Sequence, residues 1–423
     1  MDRILVQKNI YESLGETWTQ EDMYLPYFGN NSTWRIAVPA YMNVVIEDYE
    51  INTPEELYNL AVSVTTGSTY EGITFTLGAD LDMSGIDYVP IGATVAFQGS
   101  LDGQGHTISN LTIAGAYDYA GLFGQVRGSA KHPVVIKDFT MENTDIQVQN
   151  RAGTVVGYAN TNVSFEDITL KQTTLTCGED PYGEAQIGAL CGYYYSPNNS
   201  HSIKNCTVDG LKIASESGSL GGLVGNMNYT TNAAASVEVS NCHVSNAEIG
   251  TSAASVGGLF GEFGGSINSL DNAILEDCTV TTTTINSVYR GGTSSLGSVY
   301  TIGGLVGSFS GGYAKVDSCR VEADIIVEAT AEESGSYAGV GGIAGNANRT
   351  VQFNGCSFVG SNQSAVQNVG GILGATNTMG AQVVNNCYVD ADITGRSKVG
   401  GILGATANKG ISIANCYVLG SVY

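Results

Sequence analysis

A short glycine-rich core that recurs nine times is the feature that most constrains the fold of this chain. The core reads glycine, glycine, an apolar residue, any residue and glycine, as in GGLVG at Gly221–Gly225. The last glycines of successive cores lie 29 to 46 residues apart. The nine cores begin at Ala120, Gly153, Gly188, Gly221, Gly257, Gly303, Gly341, Gly370 and Gly400. Self-similarity at this period is typical of solenoids, in which each repeat stacks on the one before it.

An alternating run of apolar and polar residues follows each core and predicts a strand with one buried face. Ile203–Val208 is an example with a cysteine at its centre, and Phe139 and Ile168 fill the same position in the first two copies. Because cysteine replaces larger apolar residues there, we expect buried free thiols rather than disulfides, metal ligands or redox groups. The thiol column comprises Cys206, Cys242, Cys278, Cys319, Cys356, Cys387 and Cys416. Cys177 is predicted to lie in a loop and to be the most reactive thiol.

Three short strands per repeat, with no helical pattern between them, predict an all-β chain folded as a parallel β-helix. Strands of successive coils would pair in parallel about 4.8 Å apart, and nine to ten coils are expected. The composition agrees, since glycine supplies 56 of 423 residues and charged residues make up only 13%. Apolar residues at 43% can fill a long core and argue against disorder.

The segment that starts at Thr53 has the signature of a helix start. Threonine is a good N-cap, Pro54 suits the first turn, and Glu56 completes a capping box. We predict a short helix over about residues 53–62 that covers the N-terminal end of the coils, because a solenoid must block its open core and strand edge.

The repeats also divide the chain into three parts. Residues 1–45 are predicted to be a non-repetitive extension or attachment segment, residues 46–115 the N-terminal cap and first coil, and residues 116–423 the repeat β-helix. Only one strand follows Cys416 and no cap is apparent, so we expect further chain, a partner or a second copy at this coil.

Charge excludes several classes of partner. Lysine and arginine number 17 against 40 aspartates and glutamates, which gives a net charge of −23. A chain this acidic repels phosphate backbones and anionic lipid surfaces, so nucleic-acid binding and membrane docking are not expected. No run approaches the length of a spanning helix, so membrane insertion is not expected either. The segment Met1–Lys8 lacks the apolar core of a secretory signal, which leaves open a removed signal, a longer precursor or another export route.

The repeats resemble the GLUG motif, named for glycine, leucine, any residue and glycine. The best matches begin at Gly221, Gly257, Gly303, Gly370 and Gly400, and the resemblance covers about residues 50–423. It implies a right-handed parallel β-helix in secreted or surface proteins of bacteria, many of them from the gut. The same repeats occur beside the protease domain of IgA-specific metallopeptidases.

The resemblance does not extend to catalysis. Those peptidases carry His-Glu-x-x-His, with two zinc-binding histidines one helical turn apart, and none of the four histidines of this chain has that context. The four are His106, His132, His201 and His243. Glycan cleavage needs carboxylate pairs, or basic residues beside calcium-bound carboxylates, and the basic residues here are few and scattered. We therefore expect no enzymatic activity.

Asp80 and Asp82 alternate along one predicted strand and so share a face. We expect them to be ordinary turn and solvent carboxylates, which needs no cofactor. The alternative is a structural calcium site at this pair.

Candidate binding residues come from repeats with extra length. The interval from the cysteine position to the next core is usually 13 to 15 residues, but it reaches 20, 25 and 22 in three coils. These insertions leave at the same corner and carry tyrosines, and three further tyrosines follow the third core. Tyrosine offers a flat ring and a hydroxyl to sugars or proteins, although it also packs against neighbouring loops. The candidates are Tyr182, Tyr193, Tyr194, Tyr195, Tyr289, Arg290, Tyr300 and Tyr337.

The sequence thus favours a non-enzymatic, adhesin-like module, extracellular or on a bacterial cell surface, that binds a glycan or a host protein. A phage virion fibre or decoration protein is one alternative, supported by Met1, the missing signal and the uncapped last coil. A glycan-active or IgA-protease-associated β-helix is the other.

Overall fold

The computed structural model describes the chain from residue 49 onward with short gaps. The described ranges are 49–115, 117–178, 185–197, 200–230, 236–251, 255–266, 273–289, 300–329, 339–376, 380–407 and 410–423. The predicted N-terminal segment 1–45 lies outside these residues.

Three parallel sheets run along the described part of the molecule and confirm the predicted parallel β-helix. Sheet 1 has 23 strands, and sheets 2 and 3 have nine each. Each coil contributes one strand to sheet 2 and one to sheet 3, on either side of its glycine core. The nine predicted cores therefore correspond to nine stacked coils.

Sheet 1 is the widest. Its strands are Glu50–Ile51, Thr74–Leu77, Leu81–Asp82, Ser100–Asp102, Thr107–Ser109, Thr112–Ala114, Val134–Val148, Val163–Cys177, His201–Lys204, Thr207–Ser215, Val237–Ser240, His243–Ser245, Glu248–Thr251, Ala273–Glu276, Thr279–Tyr289, Ala314–Asp317, Arg320–Ala329, Val351–Asn354, Ser357–Ser364, Gln382–Asn385, Tyr388–Thr394, Ile411–Ala414 and Tyr417–Leu419.

Sheets 2 and 3 flank the glycine cores. The strands of sheet 2 are Tyr119–Ala120, Arg151–Ala152, Gln186–Gly188, Ser219–Gly221, Ser255–Gly257, Thr301–Gly303, Gly339–Gly341, Gln367–Gly370 and Ser397–Gly400. The strands of sheet 3 are Phe123–Arg127, Val156–Asn160, Cys191–Pro197, Val224–Thr230, Phe260–Ser266, Val306–Phe309, Ala344–Ala347, Leu373–Thr376 and Leu403–Thr406.

The glycine core lets sheets 2 and 3 approach each other closely. A Cβ atom added at Gly225 would lie 2.4 Å from the backbone nitrogen of Ile187, which is closer than real Cβ atoms come. The apolar residue of the core, such as Leu223, is fully buried. The core therefore makes a tight corner, and its apolar residue adds one buried side chain per coil to the interior, as the sequence predicted.

The residue before each cysteine position makes a second corner, within sheet 1. Its φ angle lies between +51° and +64°, in the left-handed region that asparagine, aspartate and glycine tolerate best. Side chains at this turn form a ladder, since the Nδ2 atom of Asn241 donates to Asn205 Oδ1 at 2.9 Å. The turn residues are Asp138, Asp167, Asn205, Asn241, Asp277, Ser318, Gly355, Asn386 and Asn415. In the later coils this turn divides sheet 1 into at least two strands per coil, so those coils have at least four strands where three were predicted.

The predicted N-terminal helix is present at Pro54–Thr65, beginning one residue later and ending three residues later than expected. Thr53 and Glu56 form the predicted capping box, with the Glu56 amide donating to Thr53 Oγ1 at 3.3 Å. The buried side chains of the helix, among them Leu57 and Leu60, belong to the same hydrophobic core as Phe75 of sheet 1.

The structure places the thiol column in the interior. All nine cysteines are free, and every member of the column is buried except Cys416, which is partly exposed. A hydrogen bond with the neighbouring thiol of Cys278, together with burial, raises the pKa of Cys319 well above its usual value. The predicted loop position of Cys177 was wrong, because this residue ends the strand Val163–Cys177 and only 4% of it is exposed. Its predicted reactivity stays a prediction.

The last coil exposes large apolar side chains. They are Ile413, Tyr417, Leu419, Val422 and Tyr423. The partner or second copy expected at this coil stays a prediction.

Candidate functional site

Two columns of outward side chains face each other where sheets 2 and 3 meet. One column lies in sheet 2, two residues before the first glycine of each core. The other column lies in sheet 3 and consists of the residues that directly follow the last glycine of each core. Their contact is direct, since Ser255 Oγ donates to Glu262 Oε1 at 3.4 Å. The sheet 2 column is Tyr119, Arg151, Gln186, Ser219, Ser255 and Thr301. The sheet 3 column is Gln125, Tyr158, Tyr193, Asn226, Glu262, Ser308 and Asn346.

Tyrosines stack at the N-terminal end of these columns. The rings of Tyr119 and Tyr158 lie 5.2 Å apart, and those of Tyr158 and Tyr193 lie 5.4 Å apart with planes only 10° from parallel. Tyr195 continues the stack at 6.2 Å from Tyr193. The parallel register of sheet 3 places Tyr158 and Tyr193 directly opposite each other, so the stack follows from the β-helix itself.

Arg151 lies against this stack. The Cζ atom of its guanidinium is 5.2 Å from the ring centroid of Tyr193 and 5.5 Å from that of Tyr119, both within cation–π range. Its Nε atom donates to Gln186 Oε1 at 2.5 Å. We call Tyr119, Arg151, Tyr158, Tyr193 and Tyr195 the tyrosine–arginine cluster. All five residues are partly exposed, so solvent reaches the cluster.

Burial controls the ionisation of these phenols. It raises the pKa of Tyr158 to about 12, with smaller contributions from neighbouring tyrosines and an opposing one from Arg151. Burial also raises the pKa of Tyr193. Both hydroxyls are therefore protonated at neutral pH and can donate hydrogen bonds.

Further along the columns, the surface becomes closed and polar. Glu262 accepts hydrogen bonds from Asn226 Nδ2 at 2.9 Å and from Ser255, and burial raises the pKa of its carboxyl group. Thr301 and Ser308 are buried in the next coil. The accessible end of the two columns is thus the tyrosine–arginine cluster.

The structure divides the three tyrosines that follow the third core. Tyr193 and Tyr195 point outward and belong to the cluster, as alternation along a strand requires. Tyr194 points inward, is 1% exposed and donates from its hydroxyl to the carbonyl oxygen of Val163. The expectation that Tyr194 faces a ligand is therefore corrected.

Tyr300 needs the same correction. It is 6% exposed and its hydroxyl hydrogen-bonds the hydroxyl of Ser287, so it packs between strands instead of facing a ligand. Other predicted residues lie outside the described ranges: Tyr182, Arg290 and Tyr337, and the side chain of Tyr289. The three insertions fall largely there too.

Asp80 and Asp82 are exposed and each is engaged in hydrogen bonds. Asp80 Oδ1 accepts from the Thr107 amide at 2.9 Å, and Asp82 Oδ1 accepts from Asn110 Nδ2 at 2.8 Å. These hydrogen bonds lower the pKa of both carboxyl groups. Within the described ranges, no group of three or more His, Cys, Asp or Glu side chains is placed to hold a metal. The calcium alternative stays a prediction.

Sequence reasoning missed Tyr119, Arg151 and Tyr158. Arg151 and Tyr158 lie in a repeat with no other aromatic residue near them, and Tyr119 is separated from Tyr117 by Asp118, so no consecutive run of aromatics marks these positions. Aligning the repeats on their glycines and comparing the outward positions of successive coils would have brought them together with Tyr193.

Comparisons with known proteins give partial similarities. No protein-family model matches the chain, so the resemblance to GLUG repeats stays a prediction. Over 159 residues, 34% of this chain, the sequence is 33% identical to halomucin from Haloquadratum walsbyi, and the match covers 2% of that protein. The chain therefore corresponds to a very small part of that relative's length.

A solved structure from Bacteroides ovatus, described as a "putative immunoglobulin A1 protease", is similar over 73% of this chain and 74% of its own, with a TM-score of 0.43 and 16% identity. Among the residues that the structure describes, no helix is long and apolar enough to cross a membrane.

Proposed function

We propose that this protein is a non-enzymatic β-helix module, surface-located or secreted, that binds a glycan at the tyrosine–arginine cluster. The observation that carries the proposal is the stack of four partly exposed tyrosines around Arg151. The partial similarity to halomucin supports the location.

Tyrosine and arginine suit a binding site because they combine apolar area with directed hydrogen bonds. They are enriched among the residues that dominate binding energy. In this cluster the stacking and the Gln186 contact already hold the side chains in place. Little rotamer entropy is then lost when a ligand binds.

The position of the cluster fits the predicted loop-bearing corner. Gln186 of the sheet 2 column follows the first insertion by a few residues, and Thr301 follows the second in the same way. A ligand at the cluster would therefore lie beside that corner, and a host protein there is the other outcome that the experiment can detect.

The test is binding of the purified chain to a panel of glycans and mucins. Tyr193→Ala removes the centre of the cluster, and we expect a loss of affinity of about tenfold or more. Tyr388→Ala is the matched control, because Tyr388 and Tyr417 stack at the same 5.4 Å and 10° on the outer face of sheet 1.

Circular dichroism checks that both variants remain folded. Unchanged binding by Tyr193→Ala, or equal losses in the two variants, would contradict the proposed site. Binding only to protein components of the mucins would replace the glycan with a protein partner.

A further inference from the structure

We propose that the tyrosine–arginine cluster recognises an acidic glycan, one that carries carboxylate or sulfate groups. This inference rests on the proposed glycan-binding function and adds the chemical class of the ligand. It follows from the geometry of the ring stack and from the guanidinium that lies against it.

The stacking covers much of the ring faces. Tyr158 has Tyr119 on one side at 5.2 Å and Tyr193 on the other at 5.4 Å, with interplanar angles of 26° and 10°. A neutral sugar binds aromatic residues largely by laying its apolar face on an open ring. The interior rings of this stack instead present their edges and hydroxyls, which favours ligands rich in hydrogen-bond acceptors.

The hydroxyls of the stack remain donors over a wide pH range. Burial raises the pKa of Tyr158 to about 12, and it raises the pKa of Tyr193 as well. Tyr158 and Tyr193 occupy matched positions in adjacent coils, so their hydroxyls recur along the molecule with the coil spacing. A polymer with repeating anionic groups presents acceptors in a comparable series.

Arg151 supplies a positive charge that is fixed in position. The rings of Tyr119 and Tyr193 and the Gln186 side chain hold its guanidinium. Guanidinium groups match the planar geometry of carboxylates and the oxygen pairs of sulfate-like anions. Partial burial beside aromatic rings weakens the screening of this charge by water and salt.

The charge of the whole chain makes the inference easy to test. At −23 the chain as a whole repels a polyanion, so non-specific adsorption is unfavourable. Binding of an acidic glycan therefore reports a local contact that overcomes this repulsion.

The experiment compares polymers that share a backbone but differ in charge. Titration with dextran and dextran sulfate tests sulfate, and titration with polygalacturonate and its carboxyl-reduced form tests carboxylate. We expect the charged polymer of at least one pair to bind at least about tenfold more tightly than its neutral partner. A preference confined to one pair supports the proposal and identifies the anion.

Three variants locate the contact. Arg151→Gln should lower the affinity for the acidic polymer about tenfold, whereas Arg320→Gln, on an exposed arginine beside Glu322 in sheet 1, should leave it unchanged. Tyr158→Phe keeps the ring and its stacking but removes the hydroxyl, so we expect a loss of several-fold. This variant also guards against misfolding as the cause of lost binding.

Two results would overturn the inference in different ways. If neutral polymers bind as well as charged ones, and Tyr193→Ala abolishes binding while Arg151→Gln and Tyr158→Phe do not, the acidic class is wrong and the glycan site stands. If no charged polymer binds the native chain, the acidic class is wrong, and if no member of the glycan and mucin panel binds either, the proposed function falls with it.

Discussion

His201 shows how a single residue can make this fold sensitive to pH. Its side chain is buried at the start of a sheet 1 strand, and its ring lies 5.3 Å from that of Tyr194 in an edge arrangement. Among the described residues neither ring nitrogen has a hydrogen-bond partner. Burial therefore lowers the pKa of His201 from 6.5 to about 4.

This shift predicts a loss of stability in mild acid. Between pH 6.5 and about 4 the unfolded chain binds a proton at His201 that the folded chain does not, so acid favours unfolding. From pH 7 to pH 5 the free energy of unfolding should fall about 2 kcal/mol more in the native chain than in His201→Phe. Urea titrations at the two pH values measure the difference.

His243→Gln is the control, because His243 is a partly exposed histidine on the outer face of sheet 1. It should respond to pH as the native chain does. Equal acid sensitivity of the native chain and His201→Phe would show that His201 is not the buried group responsible.

At the scale of elements, the left-handed turn before each cysteine decides where sheet 1 bends. Asn241 has a φ of +52°. Its side-chain Nδ2 atom donates to Asn205 Oδ1, and its side-chain Oδ1 atom lies 2.9 Å from His243 Nε2. The turn thus combines a backbone conformation that few residues tolerate with hydrogen bonds between coils.

Replacing Asn241 separates these two effects. Asn241→Gly keeps the backbone freedom but loses the side-chain hydrogen bonds, and we expect a loss of about 1 kcal/mol. Asn241→Ala loses both and should lower the free energy of unfolding by about 2 kcal/mol. Equilibrium urea unfolding tests this order, and an alanine variant as stable as the glycine variant would contradict the role of the backbone.

At the scale of the whole molecule, the repeat pattern predicted most of the architecture. Each coil repeats the same glycine core and the same alternating strand, so nine weak local patterns reinforce one another. The glycine corners and the buried cysteines could therefore be predicted directly. The left-handed turn was missed because its residues vary among Asn, Asp, Ser and Gly. What they share is a backbone angle, which single positions do not display.

The candidate site was harder to predict than the fold. Arg151 and Tyr193 lie 42 positions apart in the sequence, and only the register of adjacent coils brings them into contact. The run of three tyrosines was visible, but alternation sends Tyr194 into the core. Sites on a solenoid surface follow columns across repeats, and those columns require the register to be known.

Tyrosine footprinting by mass spectrometry, with and without the glycan selected from the panel, tests the site directly. Bound glycan is expected to protect Tyr158, Tyr193 and Tyr195 from modification. The Tyr388–Tyr417 pair, in which Tyr388 is partly exposed and Tyr417 is exposed, should react equally in both samples. Protection of that pair, with none at the tyrosine–arginine cluster, would contradict the central claim that this protein binds its ligand where sheets 2 and 3 meet.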